Sequence, residues 1–108
     1  GIPYDYVPVN LLASEQRSAD YTGRNPFASV PLLEADGRDR AQSMAQLEWL
    51  EEAYPEPPLL PPAMEDRFTA RELAYAIATE THAVNNLQVL KYLKDNFGRS
   101  QDEIDSWY

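Results

Sequence analysis

The chain has 108 residues, the usual size of one domain or slightly more. A hydrophobic fraction of 44%, with two Trp, seven Tyr and three Phe, predicts a packed core rather than a disordered chain. A net charge of −9 argues against nucleic acid and anionic membrane surfaces as partners, and the lack of cysteine excludes disulfides, CxxC redox pairs and thiolate metal sites.

The first half of the chain begins with a strand pattern and a short helix pattern. Residues 4 to 9 have strong strand propensity, and Pro8 within them favours an edge strand. Residues 14 to 21 are polar and fit a short helix capped by Ser14. Asn25 and Pro26 then predict a turn. The edge strand has no obvious neighbour, so one strand of the sheet is unaccounted for.

A proline opens the next apolar run, at residues 30 to 33. Proline at the start of a strand removes no ladder donor, and Asp36 with Gly37 predicts a turn into a short second strand. The bond between Val30 and Pro31 could be trans or cis, since about 5–6% of X-Pro bonds are cis in folded proteins. A cis bond would let the Val30 amide and carbonyl turn outward and pair with an extended ligand.

A helix is predicted over residues 43 to 54. Ser43 followed by Gln46 has the spacing of a capping box, in which each side chain satisfies a backbone N–H of the first turn. The free amides and the positive end of the helix dipole would also suit a carboxylate, so Ser43 is either a cap alone or part of an anion site. The apolar positions recur with helical period at Met44, Leu47, Leu50 and Tyr54.

Five prolines in residues 55 to 62 end this helix and favour a rigid linker over a polyproline ligand. Residues 64 to 97 contain no Gly or Pro and predict one long helix or two in line. Gly98 suits the position after a helix C-terminus, and Ser100 with Glu103 has capping-box spacing for a further helix.

Polar residues lie in the middle of the long helical run. His82 and Asn86 are four residues apart and are expected on one helix face, continued by Val89 and Leu93. A lone histidine on a helix is typically a surface or satisfied core residue. A polar midsection of this kind could instead line a cleft.

Seven motifs keep one order along essentially the whole chain: residues 6 to 11, Gln16, Asn25-Pro26, Val30-Pro31, Gln42-Ser43, residues 48 to 55 and residues 82 to 87. Together they resemble the zeta class of glutathione S-transferases, which includes maleylacetoacetate isomerases. The resemblance implies an incomplete α/β thioredoxin-like, glutathione-binding domain over residues 1 to 54, without its first strand and helix. It also implies a proline-rich linker over 55 to 62 and the start of an all-α domain over 63 to 108. It also implies a cytoplasmic homodimer.

The resemblance further implies glutathione as cofactor. Gln42 and Ser43 would hold the γ-glutamyl carboxylate and ammonium, and Val30, before a cis Pro31, would pair its backbone with the cysteinyl unit. The residues that match family positions in contact with glutathione or facing its cleft are Gln16, Val30, Pro31, Gln42, Ser43, His82 and Asn86.

The implied reaction is the isomerisation of maleylacetoacetate in phenylalanine and tyrosine catabolism, by reversible addition of the glutathione thiolate to the cis double bond. The family's serine motif that activates the thiol has no match here and is expected upstream, so the chain is expected to be an internal segment, inactive alone, with no catalytic residue and no metal site. Three other functions stay open: a glutathione transferase, a haloacid dehalogenase, and a non-catalytic interaction protein of the same fold.

Overall fold

The computed structural model describes residues 1 to 107, which form two compact units. The first unit covers Gly1–Pro57, and the second begins at Pro58. This border lies within the proline-rich stretch at residues 55 to 62, while the finer domain bounds drawn from the sequence stay a prediction. No helix in the described part of the chain is long and apolar enough to cross a membrane.

The first unit opens without regular structure, so the strand predicted at residues 4 to 9 is wrong for this structure. A strand exists through hydrogen bonds to a neighbouring strand, and no described segment pairs with these residues. Without a partner strand, their high strand propensity does not produce a strand, and Tyr4, Tyr6 and Val7 are exposed.

The helix predicted at residues 14 to 21 is displaced along the chain. Glu15–Arg17 forms a 3-10 turn, and helix α1 covers Ala19–Arg24. Ser18, rather than Ser14, is the side-chain cap of α1, and its hydroxyl accepts a hydrogen bond from Tyr21 N at 3.2 Å. Ser14 has a left-handed backbone with φ 59°, and its side chain makes no capping hydrogen bond.

Strands β1 (Leu33–Ala35) and β2 (Arg38–Arg40) form an antiparallel hairpin, with the first residue of β1 opposite the last of β2. Asp36 and Gly37 both have positive φ, 53° and 68°, as a two-residue hairpin turn of type I′ requires. The predicted order of strand, turn and short strand is confirmed, although β1 begins three residues later than Val30.

Helix α2 covers Ser43–Ala53 and confirms the helix predicted from residue 43. The predicted capping box is wrong, because Gln42 is the N-cap and Ser43 is already the first helical residue. Gln46 therefore lies at the fourth helical position instead of the third. Its side chain does not return to the N-cap backbone but bonds carbonyl groups outside the helix.

All the regular secondary structure described in the second unit is helical. Helix α3 covers Met64–Tyr75 and continues through a π-helical segment, Ala76–Thr81, into α4 at His82–Asn85. Helix α5 covers Leu87–Phe97, and α6 covers Gln101–Asp105. The run at residues 64 to 97, predicted as one long helix or two in line, is thus divided between α4 and α5.

The division falls at Asn86, whose extended backbone (ψ 155°) interrupts the helix. The Asn86 side-chain oxygen caps α5 by accepting hydrogen bonds from Gln88 N and Val89 N, at 3.0 and 3.1 Å. The expectation that His82 and Asn86 share one helix face with Val89 and Leu93 is therefore wrong. Asparagine bonds readily to nearby backbone groups and so favours caps over helix interiors.

The end of α5 and the start of α6 follow the sequence prediction. Gly98 adopts the left-handed conformation, φ 63°, that ends many helices. Ser100 and Glu103 form a reciprocal capping box, with Ser100 N donating to the Glu103 carboxylate at 2.9 Å. Ile104 on α6 is the one apolar residue of the described chain that is almost fully buried.

Arg24 joins α1 to both strands of the hairpin. Its guanidinium donates to both carboxylate oxygens of Asp39, at 2.5 and 3.0 Å, and to Glu34 at 2.6 Å. Glu34 and Asp39 lie opposite each other in the ladder, where two like charges would repel. The hydrogen bond from Arg24 lowers the pKa of Asp39.

We expect Arg24→Gln to raise the pKa of Asp39 towards its ordinary value of about 3.9. A carboxyl group whose pKa is depressed by folding contributes stability above its unfolded pKa and loses it as the pH falls through its folded pKa. The wild type should therefore lose stability as the pH falls below about 4, and the variant should show less of this loss. An NMR titration of the Asp39 carboxyl and acid denaturation measure the two effects.

Arg99→Gln is the matched control. Arg99 is also exposed and donates to Glu103 at 3.2 Å, but it lies in the second unit. Its removal should leave the Asp39 titration unchanged. Identical Asp39 titrations in the wild type and in Arg24→Gln would contradict the bridge.

Candidate active site

The side-chain amide of Gln46 ties the start of α2 to two other parts of the first unit. Its nitrogen donates to the Pro31 carbonyl at 3.1 Å and to the Arg40 carbonyl at 2.7 Å. Gln46 is 7% exposed, and both donors of its amide are used. Pro31 directly follows Val30 and Arg40 lies two residues before Gln42, so this one nitrogen brings the two predicted binding segments together.

The peptide bond between Val30 and Pro31 is cis, as the resemblance to the family implied. Val30 is exposed, and its backbone N–H and carbonyl make no hydrogen bond to any described residue. An extended peptide-like molecule could pair with these two groups in the manner of an added strand.

The loop before Val30 is fixed by Asn25, which is completely buried. The Asn25 amide donates to the Ser29 carbonyl at 2.6 Å, and the Tyr21 hydroxyl donates to the same carbonyl at 2.8 Å. The Asn25 side-chain oxygen accepts from Phe27 N at 3.1 Å. The turn predicted at Asn25 and Pro26 is confirmed. The burial of the Asn25 side chain was not predicted from the sequence, and the Asn-Pro pair was the signal available for it.

The N-terminus of α2 presents unpaired backbone donors. The first helical hydrogen bond runs from Gln46 N to the Gln42 carbonyl at 3.0 Å, so the N–H groups of the preceding turn have no partner within the helix. The side chains of Gln42 and Ser43 are exposed beside them. Such a helix end, with the positive pole of its dipole, suits a carboxylate.

Gln16 carries a buried acceptor without a donor. It lies in the 3-10 turn of the first unit, and its side-chain oxygen accepts no hydrogen bond from the described residues. Because buried polar atoms are nearly always paired, this oxygen is suited to a ligand N–H group or to water.

A cation–π contact, which the sequence pattern did not indicate, holds β2 against α2. The Arg40 guanidinium lies 4.0 Å from the ring centroid of Trp49, and it also donates to the Ala35 carbonyl at 2.5 Å. Trp49 in turn packs edge-to-face against Tyr54. Among residues 1 to 107 no cluster of His, Asp or Glu is arranged to hold a metal ion.

The other two predicted site residues belong to the second unit. His82 is exposed, and Asn86 uses both polar atoms of its side chain, since its nitrogen also donates to the Ala83 carbonyl at 3.1 Å. The structure therefore gives Asn86 a local capping role that the sequence did not predict. The assignment of both residues to a binding site stays a prediction.

The fold agrees with comparisons to known proteins. Residues 1 to 52 match the family described as glutathione S-transferase, N-terminal domain. The chain belongs to the glutathione S-transferase family. The sequence-based recognition of its zeta class is confirmed, and the first unit is the thioredoxin-like domain of this family, followed by a helical part.

Three similar proteins illustrate the match. A maleylpyruvate isomerase from Ralstonia sp is 37% identical over 99% of this chain and 50% of its own length. The holo structure of a maleylpyruvate isomerase, described as a bacterial zeta-class enzyme, has a TM-score of 0.93 at 37% identity and covers 99% of this chain and 50% of its own. Maleylacetoacetate isomerase from Methylobacterium extorquens AM1, with bound malonate and GSH, has a TM-score of 0.88 at 34% identity, over 97% of this chain and 50% of its own. The chain spans about half the length of the relatives it matches.

We expect Asn25→Ala to destabilise the protein by about 2–3 kcal/mol, because it removes two hydrogen bonds from a buried side chain and leaves the Phe27 N–H without its partner. Chemical denaturation of the intact protein measures the change. Asn96→Ala is the control, since the Asn96 amide is exposed and makes only a 3.4 Å contact with the Tyr92 carbonyl. Equal losses in both variants would contradict the role given to Asn25.

Proposed function

We propose that this chain binds glutathione and forms part of a glutathione-dependent isomerase. Its substrates would be cis-unsaturated dicarboxylic keto acids, of which maleylacetoacetate and maleylpyruvate are examples. The observation that carries this proposal is the Gln46 amide, which holds the cis Val30–Pro31 step beside the N-terminus of α2. The relative from Methylobacterium extorquens, crystallised with malonate and GSH, supports the same ligand.

The residues present fit a tripeptide of this chemistry. The unpaired backbone groups of Val30 match the donor and acceptor of a cysteinyl unit in an extended peptide. The donors at Gln42 and Ser43 match the γ-glutamyl carboxylate, and the orphaned oxygen of Gln16 matches a ligand N–H group. We keep the assignment of His82 and Asn86 to glutathione or the acidic substrate as part of the proposal.

Binding glutathione at both Val30 and the N-terminus of α2 would have a chemical consequence. When bound, glutathione supplies a thiol for reversible addition to the cis double bond, which allows rotation to the trans product. Val30 would hold the cysteinyl unit that carries the thiol, and the α2 N-terminus would hold the neighbouring γ-glutamyl unit. Together they would orient the thiol, which is how positioned reactants lower a barrier. An ordinary thiol has a pKa of about 8.5. We do not assign the lowering of the glutathione thiol pKa to any residue of this chain.

Charge explains why backbone donors matter here. The chain carries a net charge of −9, so its long-range field repels an acidic ligand. Nearby N–H groups at a helix end attract a carboxylate without adding cationic side chains.

Cytoplasmic location and a homodimer belong to the same proposal, and light scattering on the intact protein tests the dimer.

Turnover by the intact protein tests the activity. We expect glutathione-dependent isomerisation of maleylacetoacetate or maleylpyruvate to be faster than attack on a small haloacid. Preference for the haloacid would favour a dehalogenase. Failure to be retained on a glutathione column would instead favour a non-catalytic interaction protein.

We expect Gln42→Ala to weaken glutathione binding by about 1.5–3 kcal/mol, because it removes a charge-assisted hydrogen bond to the γ-glutamyl group. Isothermal titration of the intact protein gives the dissociation constant. Gln101→Ala makes the same change in α6, where the amide bonds only Asp105, and should bind normally. An unchanged constant in Gln42→Ala would remove Gln42 from the site.

A further inference from the structure

Gln46 has contacts that its own helix does not need. Its backbone N–H already makes the helical bond to the Gln42 carbonyl, so the side chain is not required for capping. The side-chain nitrogen is buried and bonds two carbonyls from two different segments. An apolar side chain at this position would fill space but leave both carbonyls without this donor.

We propose that Gln46 is a positioning residue for the bound tripeptide. Val30 and the N-terminus of α2 lie on separate segments, and a ligand held by both requires a fixed spacing between them. The Gln46 nitrogen joins the carbonyl next to Val30 to the carbonyl two residues before Gln42, so it sets that spacing. This inference rests on the proposed binding of glutathione.

Other contacts should keep the unit folded when this nitrogen is lost. The stacking of Arg40 on Trp49 joins β2 to α2 independently of Gln46. Arg24 separately joins α1 to the hairpin. The effect of Gln46 should therefore be local preorganisation of the Val30 segment, and loss of preorganisation lowers affinity even where each contact to the ligand can still form.

The first test is Gln46→Leu, which keeps the approximate volume and removes both donors. We expect the Kd for glutathione to rise about tenfold, with circular dichroism and the melting transition reporting an intact fold. Gln101→Leu is the matched control, because the Gln101 amide donates to Asp105 on its own helix, α6. Its Kd should equal that of the wild type.

The second variant, Gln46→Glu, gives a readout that a merely structural role would not move. When ionised, the new carboxylate faces two carbonyl oxygens and cannot donate. When protonated, it offers one O–H donor, and burial raises the pKa of such a group. The ratio of the Kd of this variant to that of the wild type should therefore fall severalfold between about pH 8 and about pH 5, while the ratio for Gln46→Leu stays flat.

The outcomes separate this inference from the proposed function. A wild type that binds glutathione, with Gln46→Leu binding equally well, overturns the positioning role alone. A flat pH ratio for Gln46→Glu also overturns it, even if Gln46→Leu fails to fold. A wild type that binds no glutathione overturns the proposed function and, with it, this inference.

Discussion

The side-chain amide of Gln46 fixes how three segments of the first unit lie relative to one another. The Pro31 carbonyl precedes the start of β1, so the hairpin ladder supplies it with no donor, and the Gln46 nitrogen fills that place. The same nitrogen holds the last carbonyl of β2. Each such bond contributes only about 1 kcal/mol, but a buried carbonyl left without a donor costs about 1–3 kcal/mol. The bond therefore fixes the geometry more than its net energy suggests.

Other polar contacts extend this arrangement. The fully buried side chain of the first unit is Asn25, and Gln46 is nearly so, whereas no apolar residue among positions 1 to 57 reaches that degree of burial. Arg24 joins α1 to the hairpin, and Arg40 stacks on Trp49. Hydrogen bonds have preferred directions and apolar packing does not. The local geometry of the first unit is therefore set by specific hydrogen-bond donors and acceptors.

The proposed site draws on two kinds of information. The ordered motifs of the sequence identified the family, which the relatives of the chain confirm, and they also pointed to Val30 and Gln42 as proposed site residues. The geometry added Gln46 and Asn25, which support the site without being predicted to touch a ligand. Gln46 could not be found in the sequence because its partner Pro31 lies 15 positions away, whereas Asn25 bonds residues within four positions. The buried, unpaired oxygen of Gln16 was likewise visible only once the chain was folded.

The sequence by itself determined several features whose donors and acceptors lie within a few residues, namely the hairpin turn, the C-terminal end of α5 and the N-terminal end of α6. Two segments with the same capping-box spacing show the limit of this rule. Ser100 and Glu103 form the box, because their nearest partners are each other. Ser43 and Gln46 do not, because the helix starts one residue too early and the Pro31 carbonyl comes within reach of the glutamine amide. Tertiary structure decided that choice, since the competing acceptor is 15 residues away in the chain.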